Sequence, residues 1–244
     1  MNGPGNNFFT LDGTQSKVMG IIVSGESTYG APIRDIETIS IPGRNDAVFI
    51  DHGRYNSVTI AYRCMTKTLD AADDARDWLM SHSDKQYKLT DTYHPSEYRM
   101  ARVSEAFDPT VNLRTGMTEF DVHFECDPRR FLTSGGTATT VAAKSSARIS
   151  NPTRHDAQPL IFLSSPGTVR FGNRSITVAT ESQIFVDCDA MYAYKLTSSG
   201  TQINKNSVLT VTSGKWPILS ADMGTTITNS TSGAVYITPR FWRL

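Results

Sequence analysis

The chain alternates apolar and polar residues with a period of two in many short segments, and turn-forming residues (Gly, Pro, Asn, Asp, Ser) separate those segments. This period places neighbouring side chains on opposite faces of an extended strand, so each segment predicts a strand with one buried face. Only one segment has the 3.6-residue spacing of a helix. The sequence therefore predicts a mainly β protein with a single α-helix.

The first half contains the longer strand patterns. The predicted strands are residues 18–23, 33–41, 48–50, 55–64, 98–107 and 117–126. Turns are predicted at Pro42-Gly43, continuing to Asp46, and at Asp51-His52-Gly53, because these residue types favour tight turns. These segments predict antiparallel pairing in a β-barrel-like or β-sandwich domain.

The helical segment covers residues 70–82. Ala72, Ala75 and Leu79 fall on one side at helical spacing, with Trp78 beside them. Asp70 is the predicted N-cap, and the acidic residues that follow suit the positive end of the helix dipole.

The second half contains short strand patterns and no helical one. The predicted strands are residues 160–163, 175–178, 183–187, 191–194, 208–211 and 234–237. Regularly spaced short strands with turns between them are typical of a β-sandwich of about 100 residues.

The composition changes at residues 133–150, where small and hydroxylated residues replace charged and aromatic ones. With 244 residues the chain is long enough for two domains. We therefore expect one domain at residues 1–132 and a second at 133–244. The part up to Phe131 has 14 basic and 19 acidic residues, and the rest has 10 and 5, so the two halves carry opposite net charges.

The bulk composition excludes several classes of protein. A neutral formal charge argues against a uniformly basic nucleic-acid-binding surface. No apolar run reaches the 18 residues of a membrane helix, and the start of the chain, Met1–Gly5, lacks the features of a signal peptide. We expect a chain made in the cytoplasm, without membrane insertion.

No catalytic, cofactor or metal site is indicated. The chain has no Gly-x-Ser-x-Gly motif, no glycine-rich loop before its helix and no paired histidines of the His-x-x-x-His type. Cys64, Cys126 and Cys188 are widely spaced and predict buried thiols instead of a disulfide framework or zinc site. Two short runs, 129–131 and 240–243, mix Arg with aromatic residues. Such a mixture can bind single-stranded nucleic acid, or its aromatic residues can close the edge of a core that the Arg side chains cover. We expect no enzyme activity and no cofactor.

The order of several motifs resembles the distal tail protein (Dit) of siphoviruses, the bacteriophages with long non-contractile tails. In the first half these motifs are Arg34-Asp35, Ile-Pro-Gly-Arg-Asn at 41–45, the helix with Trp78-Leu79, and residues 124–131. Family members usually carry Gly where this chain has Asp46. In the second half they are Asn151-Pro152, residues 159–161, 184–187 and 213–219, and the end at 237–242.

The resemblance implies a structural virion protein located at the phage tail tip. The amino-terminal domain would join six copies into a ring with a central channel for DNA, and the carboxy-terminal domain would be a galectin-like β-sandwich. Implied partners are other copies of the chain, the tail tube protein, the tail-associated tip protein and receptor-binding components, with DNA only passing through.

Four charged residues are candidates for the contact between subunits: Arg34, Asp35, Arg44 and Asp46. Each could instead hold its own turn. The alternative function is a carbohydrate-binding accessory module, since galectin folds bind sugar through polar residues and a stacking Trp. Trp216 and Trp242 are the available rings. A cell-wall hydrolase is a third, less favoured hypothesis.

Overall fold

The structure is a computed structural model that describes residues 7–105 and 108–244. The chain forms two compact units. One comprises the residues through Arg130 together with Leu244, and the other comprises Phe131–Arg243. Each unit has a hydrophobic core of its own.

The described residues of the first unit form ten complete strands and one α-helix. The strands are β1 (Phe9–Leu11), β2 (Thr14–Gln15), β3 (Ile22–Ser27), β4 (Arg34–Ile39), β5 (Val48–Tyr55), β6 (Val58–Thr66), β7 (Tyr87–Asp91), β8 (Glu97–Val103), β9 (Thr110–Val111) and β10 (Thr118–Cys126), and the helix is α1 (Leu69–Met80). A short 3-10 helix covers Ser16–Met19.

Most of these strands form one antiparallel sheet in the order β2-β1-β7-β8-β10-β6-β3, with β9 beside β10. Its centre is the long pairing of β6 with β10, in which both strands alternate buried and less buried residues as their sequences predict. The rings of Phe9, Tyr62 and Phe124 meet in the core. Ala72, Ala75 and Leu79 of α1 are buried against this core. Strands β4 and β5 form a separate two-stranded sheet.

Three local predictions for the first half are wrong in detail. Residues 18–23 are not one strand, because a 3-10 turn ends at Met19 and β3 starts at Ile22. The N-cap of α1 is Thr68, whose Oγ1 accepts from the N–H of Ala71 at 3.2 Å, and not Asp70. Residues 51–53 lie inside β5. The end of the predicted strand at 98–107 falls partly on Ala106 and Phe107, which are outside the described residues.

The second unit is built from strands and 3-10 turns. Its strands are β12 (Thr139–Val141), β13 (Ser146–Ser150), β14 (Leu160–Leu163), β15 (Gly167–Phe171), β16 (Arg174–Val178), β17 (Ile184–Asp187), β18 (Tyr192–Leu196), β19 (Gln202–Asn204), β20 (Leu209–Val211), β21 (Gly224–Asn229), β22 (Val235–Thr238) and β23 (Trp242–Arg243), and β11 (Arg130–Leu132) spans the division between the units. The 3-10 turns are Thr133–Gly136, Asn206–Val208 and Thr212–Gly214.

Two antiparallel sheets dominate this unit. One has the order β12-β22-β14-β17-β18-β19, and the other has the order β13-β21-β15-β16-β20. Ile161 and Val186 of the first sheet and Val169 and Ile176 of the second are fully buried in one shared core. This arrangement is a β-sandwich.

The predicted fold class, mainly β with one α-helix, is confirmed. All six predicted strands of the second half coincide with observed strands to within two residues. The sequence misses six further strands, which are β12, β13, β15, β19, β21 and β23. In β15 and β21, Gly, Thr and Asn weaken the strand pattern. No helix among the described residues has the length and apolar character needed to span a membrane.

Candidate assembly surface

Strands β4 and β5 form a hairpin that is a two-stranded sheet of its own. Its register pairs Glu37 with Ile50 and Ile39 with Val48. A bulge interrupts the pairing near Gly53, which has a φ of +75° and donates its N–H to Oδ1 of Asp51 at 2.8 Å. Since a residue with positive φ fits a bulge, β5 can continue through residues 51–53 where the sequence predicts a turn.

Two ion pairs hold the base of this hairpin. Arg34 donates to Asp51 from Nε at 3.0 and 3.1 Å and from Nη2 at 2.9 Å. The hydrogen bonds from Arg34, followed by the one from the N–H of Gly53, hold the pKa of Asp51 below its ordinary value. The same contact with Asp51 raises the pKa of Arg34. Arg54 donates to Asp35 at 2.6 Å. These pairs fix the register near the start of β4.

Large apolar side chains of the hairpin lie in solvent. These exposed residues, on or beside its strands, are Ile33, Ile36, Ile39, Ile41, Phe49 and Ile50. The aromatic side chain among them, Phe49, is 66% exposed. The apolar positions occur on both faces, because Ile36 and Phe49 lie on one side while Ile39 and Ile50 lie on the other. The prediction that the period-two pattern here buries one face is therefore wrong within a single chain.

An isolated two-stranded hairpin is only marginally stable in water. A contiguous exposed apolar patch on a protein commonly marks a site of interaction with another molecule. The hairpin, which we call the assembly hairpin (residues 33–55), is the candidate functional site because it forms a two-stranded sheet of its own and exposes large apolar side chains on both faces.

The structure places all four candidate interface residues on the assembly hairpin. Arg34 and Asp35 lie on β4 and are already engaged in the ion pairs at its base. Arg44 and Asp46 lie in the exposed connection between the strands, where the described residues offer neither of them a salt bridge. The apolar residues of the same hairpin, which the sequence analysis took as core, are the part of the site that it missed.

One serine and one histidine lie in contact at the end of α1. Oγ of Ser81 lies 3.0 Å from Nδ1 of His82, but both side chains also contact the carbonyl of Trp78, as residues that close the end of α1 do. The described residues contain no group of three or more His, Cys, Asp or Glu side chains placed to hold a metal ion.

The three cysteines are free and buried. Burial raises the pKa of all three thiols, that of Cys126 to about 12, which disfavours the reactive thiolate.

The two tryptophans considered for sugar stacking are engaged by the second unit itself. Trp242 donates its Nε1–H to the carbonyl of Asp156 at 3.0 Å, and one face of its ring stacks on His155 at 4.3 Å. Trp216 packs against the core, and its carbonyl accepts a hydrogen bond from Arg174.

The fold is shared with solved structures of a phage adsorption-apparatus protein and of phage baseplates. The chain is similar to the Dit protein (gp 19.1) of phage SPP1, described as a paradigm of the hub adsorption apparatus in phages that infect Gram-positive bacteria, with a TM-score of 0.68 and 13% identity over 98% of this chain and 99% of that one. The resemblance to distal tail proteins is thus confirmed at the level of the fold.

Two structures of the phage p2 baseplate in its activated conformation are also similar. The one with Sr has a TM-score of 0.54 and 13% identity over 98% of this chain and 99% of that one. The one with Ca has a TM-score of 0.52 and 12% identity over 95% and 97%. No protein-family model and no curated protein matches the sequence.

Proposed function

We propose that this chain is a structural hub of a phage tail tip, in which six copies form a ring through the assembly hairpin. The observation that carries the proposal is the hairpin itself, which is unpaired with the other sheets and exposes apolar residues on both faces. Covering it with a neighbouring copy would bury these side chains and satisfy the free edges of both strands.

The charge of the first unit fits a channel for DNA. Through Arg130 the chain has 14 basic and 19 acidic residues, a net charge of −5. An acidic bore repels phosphate and would let DNA pass without adhering to the wall. The ring would lie between the tail tube protein and the tail-associated tip protein and would carry receptor-binding components. Its role would be mechanical, without catalysis.

Native mass spectrometry tests the ring directly. We expect a species of six 26.9 kDa subunits for the wild type. The double variant Ile36→Ser/Phe49→Ser removes apolar surface from one face of the assembly hairpin, and we expect it to shift the population to monomers. Both side chains are exposed, so the melting temperature of the monomer should stay unchanged.

A matched control removes apolar surface elsewhere. Met191 and Leu196 are exposed on the second unit, and Met191→Ser/Leu196→Ser should leave the six-subunit species intact. The proposal fails if the hairpin variant assembles like the wild type. It also fails if the wild type stays monomeric both alone and with isolated tails.

A further inference from the structure

A groove of about 450 Å³ opens in the second unit beside the outer face of its five-stranded sheet. The turn at Gly172-Asn173 and the start of β16 form one wall. Residues 218–223 and the start of β21 form the other. Its size falls within the range of small-molecule sites, about 300 to 1,000 Å³.

The chemical character of the lining is polar and cationic. Asn173, Ser220 and Thr226 supply amide and hydroxyl groups, and Arg174 supplies a guanidinium. No carboxylate lines the groove. Asp222, which precedes the lining residue Met223, is exposed, and Oδ1 of Asp156 accepts the N–H of Ala221 at 2.9 Å.

Arg174 is held in place before any ligand arrives. Its Nη1 donates to the carbonyl of Trp216 at 2.7 Å. A guanidinium has five N–H donors, so this anchor leaves others available on a side chain whose position is fixed. A fixed guanidinium loses less conformational entropy when it binds an anion.

A second guanidinium lies against the groove because of a glycine. A Cβ on Gly224, which lines the groove, would lie 2.1 Å from Nε and 2.9 Å from Cζ of Arg148. The Arg148 side chain therefore occupies the space that any other residue at position 224 would fill. The described residues offer Arg148 no carboxylate partner, and its side chain is exposed.

The neighbouring sheet face continues this pattern. Its strands contain no Asp or Glu, and their outward positions are rich in Ser and Thr. Hydroxyl pairs cross the face, for example Ser146 with Thr228 at 3.1 Å and Thr168 with Thr177 at 2.9 Å. Arg170 is exposed on β15. Protein interfaces favour aromatic residues and are depleted in Ser, so this face does not have the composition of one.

We propose that the groove binds a phosphate-bearing polyol or sugar. The phosphate would pair with Arg148 and Arg174, since guanidinium groups match phosphate oxygens in geometry and charge. The ligand hydroxyls would hydrogen-bond to Asn173, Ser220 and Thr226. Single-stranded nucleic acid fits less well, because it needs aromatic platforms for its bases and the aromatic residue of the lining, Phe171, is buried.

Isothermal titration calorimetry with a short poly(glycerol phosphate) oligomer tests the site. The decisive variant is Gly224→Ala, which leaves every charge in place but displaces the Arg148 guanidinium. We expect this variant to raise the Kd about tenfold or more, which is the effect of losing a hydrogen bond to a charged group. Arg148→Gln should weaken it similarly, which keeps the test valid if the alanine variant folds poorly.

The control for net charge is Lys195→Gln on the other sheet, which removes one positive charge as Arg148→Gln does and should leave the Kd unchanged. A glycerol oligomer without phosphate and inorganic phosphate should each bind more weakly than the polymer. The proposal is overturned if Gly224→Ala binds like the wild type. It is equally overturned if single-stranded DNA of the same charge or inorganic phosphate binds as tightly as the polymer.

Discussion

Arg240 binds Asp187 through two hydrogen bonds, from Nη1 to Oδ1 at 2.8 Å and from Nη2 to Oδ2 at 2.9 Å. Asp187 ends β17, and its Oδ1 also accepts the N–H groups of Asp189 and Ala190. Arg240 immediately precedes Phe241, which is buried in the core of the second unit. The pair thus fastens the segment before β23 to the end of β17.

The variant Asp187→Asn should lower the free energy of unfolding of the second unit by about 2 to 3 kcal/mol. The amide keeps the turn acceptor but leaves the Arg240 charge without its carboxylate. The loss should be below that for fully buried pairs, because the side chains are 26% and 12% exposed. Urea unfolding in a Trp78→Phe background measures it, since the remaining tryptophans report on the second unit.

The comparison for this variant is Arg76→Gln, which breaks the exposed pair of Arg76 with Asp73 in the first unit and is followed there by the fluorescence of Trp78, with Trp216 and Trp242 replaced by Phe. It should cost about 0 to 1 kcal/mol, as surface ion pairs do. Equal losses for the two variants would show that the Arg240–Asp187 pair has no special role.

The same pair predicts a pH dependence. Burial alone would raise the pKa of Asp187, but the hydrogen bonds from Arg240 and from the N–H groups of Ala190 and Asp189 outweigh it and hold the pKa below its ordinary value of 3.8. A depressed folded pKa means that the stabilisation is present above pH 3.8 and is lost as the pH falls through the folded value. The stability gap between wild type and Asp187→Asn should therefore close in acid. A gap that stays constant down to the acid limit of folding would contradict this assignment.

The sequence predicts well those elements whose periodicity and burial agree. Strand β6 alternates strictly because one face meets the core and the other does not, and α1 carries its apolar residues at helical spacing for the same reason. In both elements the pattern is local and the burying surface is provided by the same chain. The sequence therefore predicts the secondary-structure type and the approximate bounds of both elements.

The assembly hairpin shows where this inference stops. Its strands carry as many large apolar residues as buried strands do, yet Ile36 and Phe49 are exposed within one chain. A pattern reports that a face must be covered and not which molecule covers it. The sequence also could not predict that the Arg148 side chain packs over Gly224. The two residues lie on different strands, and the contact depends on the absence of a side chain at position 224.

The structure assigns Thr68 as the N-cap of α1, whereas the sequence predicts Asp70, and two variants can distinguish these assignments. Thr68→Ala removes the oxygen that accepts from Ala71 and should destabilise the first unit by about 1 kcal/mol. Asp70→Ala removes only a favourable charge near the positive end of the helix and should cost about 0.3 to 0.5 kcal/mol. Urea unfolding followed by Trp78 fluorescence, with Trp216 and Trp242 replaced by Phe, measures both. A larger loss of unfolding free energy for Asp70→Ala than for Thr68→Ala would support Asp70 as the N-cap.

Alanine should destabilise the protein at only one of two adjacent glycines. A Cβ on Gly135 would lie 2.4 Å from the backbone N of Phe241, whereas one on Gly136 would meet nothing within 4 Å. Gly135→Ala should force the backbone apart near the Arg240 N–H that bonds to the Gly135 carbonyl at 2.8 Å, at a cost of about 1 to 3 kcal/mol. Gly136→Ala should be neutral or stabilise by up to about 1 kcal/mol, because alanine restricts the unfolded chain. Thermal unfolding of the two variants measures this contrast. Equal melting temperatures would mean that the backbone at Phe241 does not lie so close to Gly135.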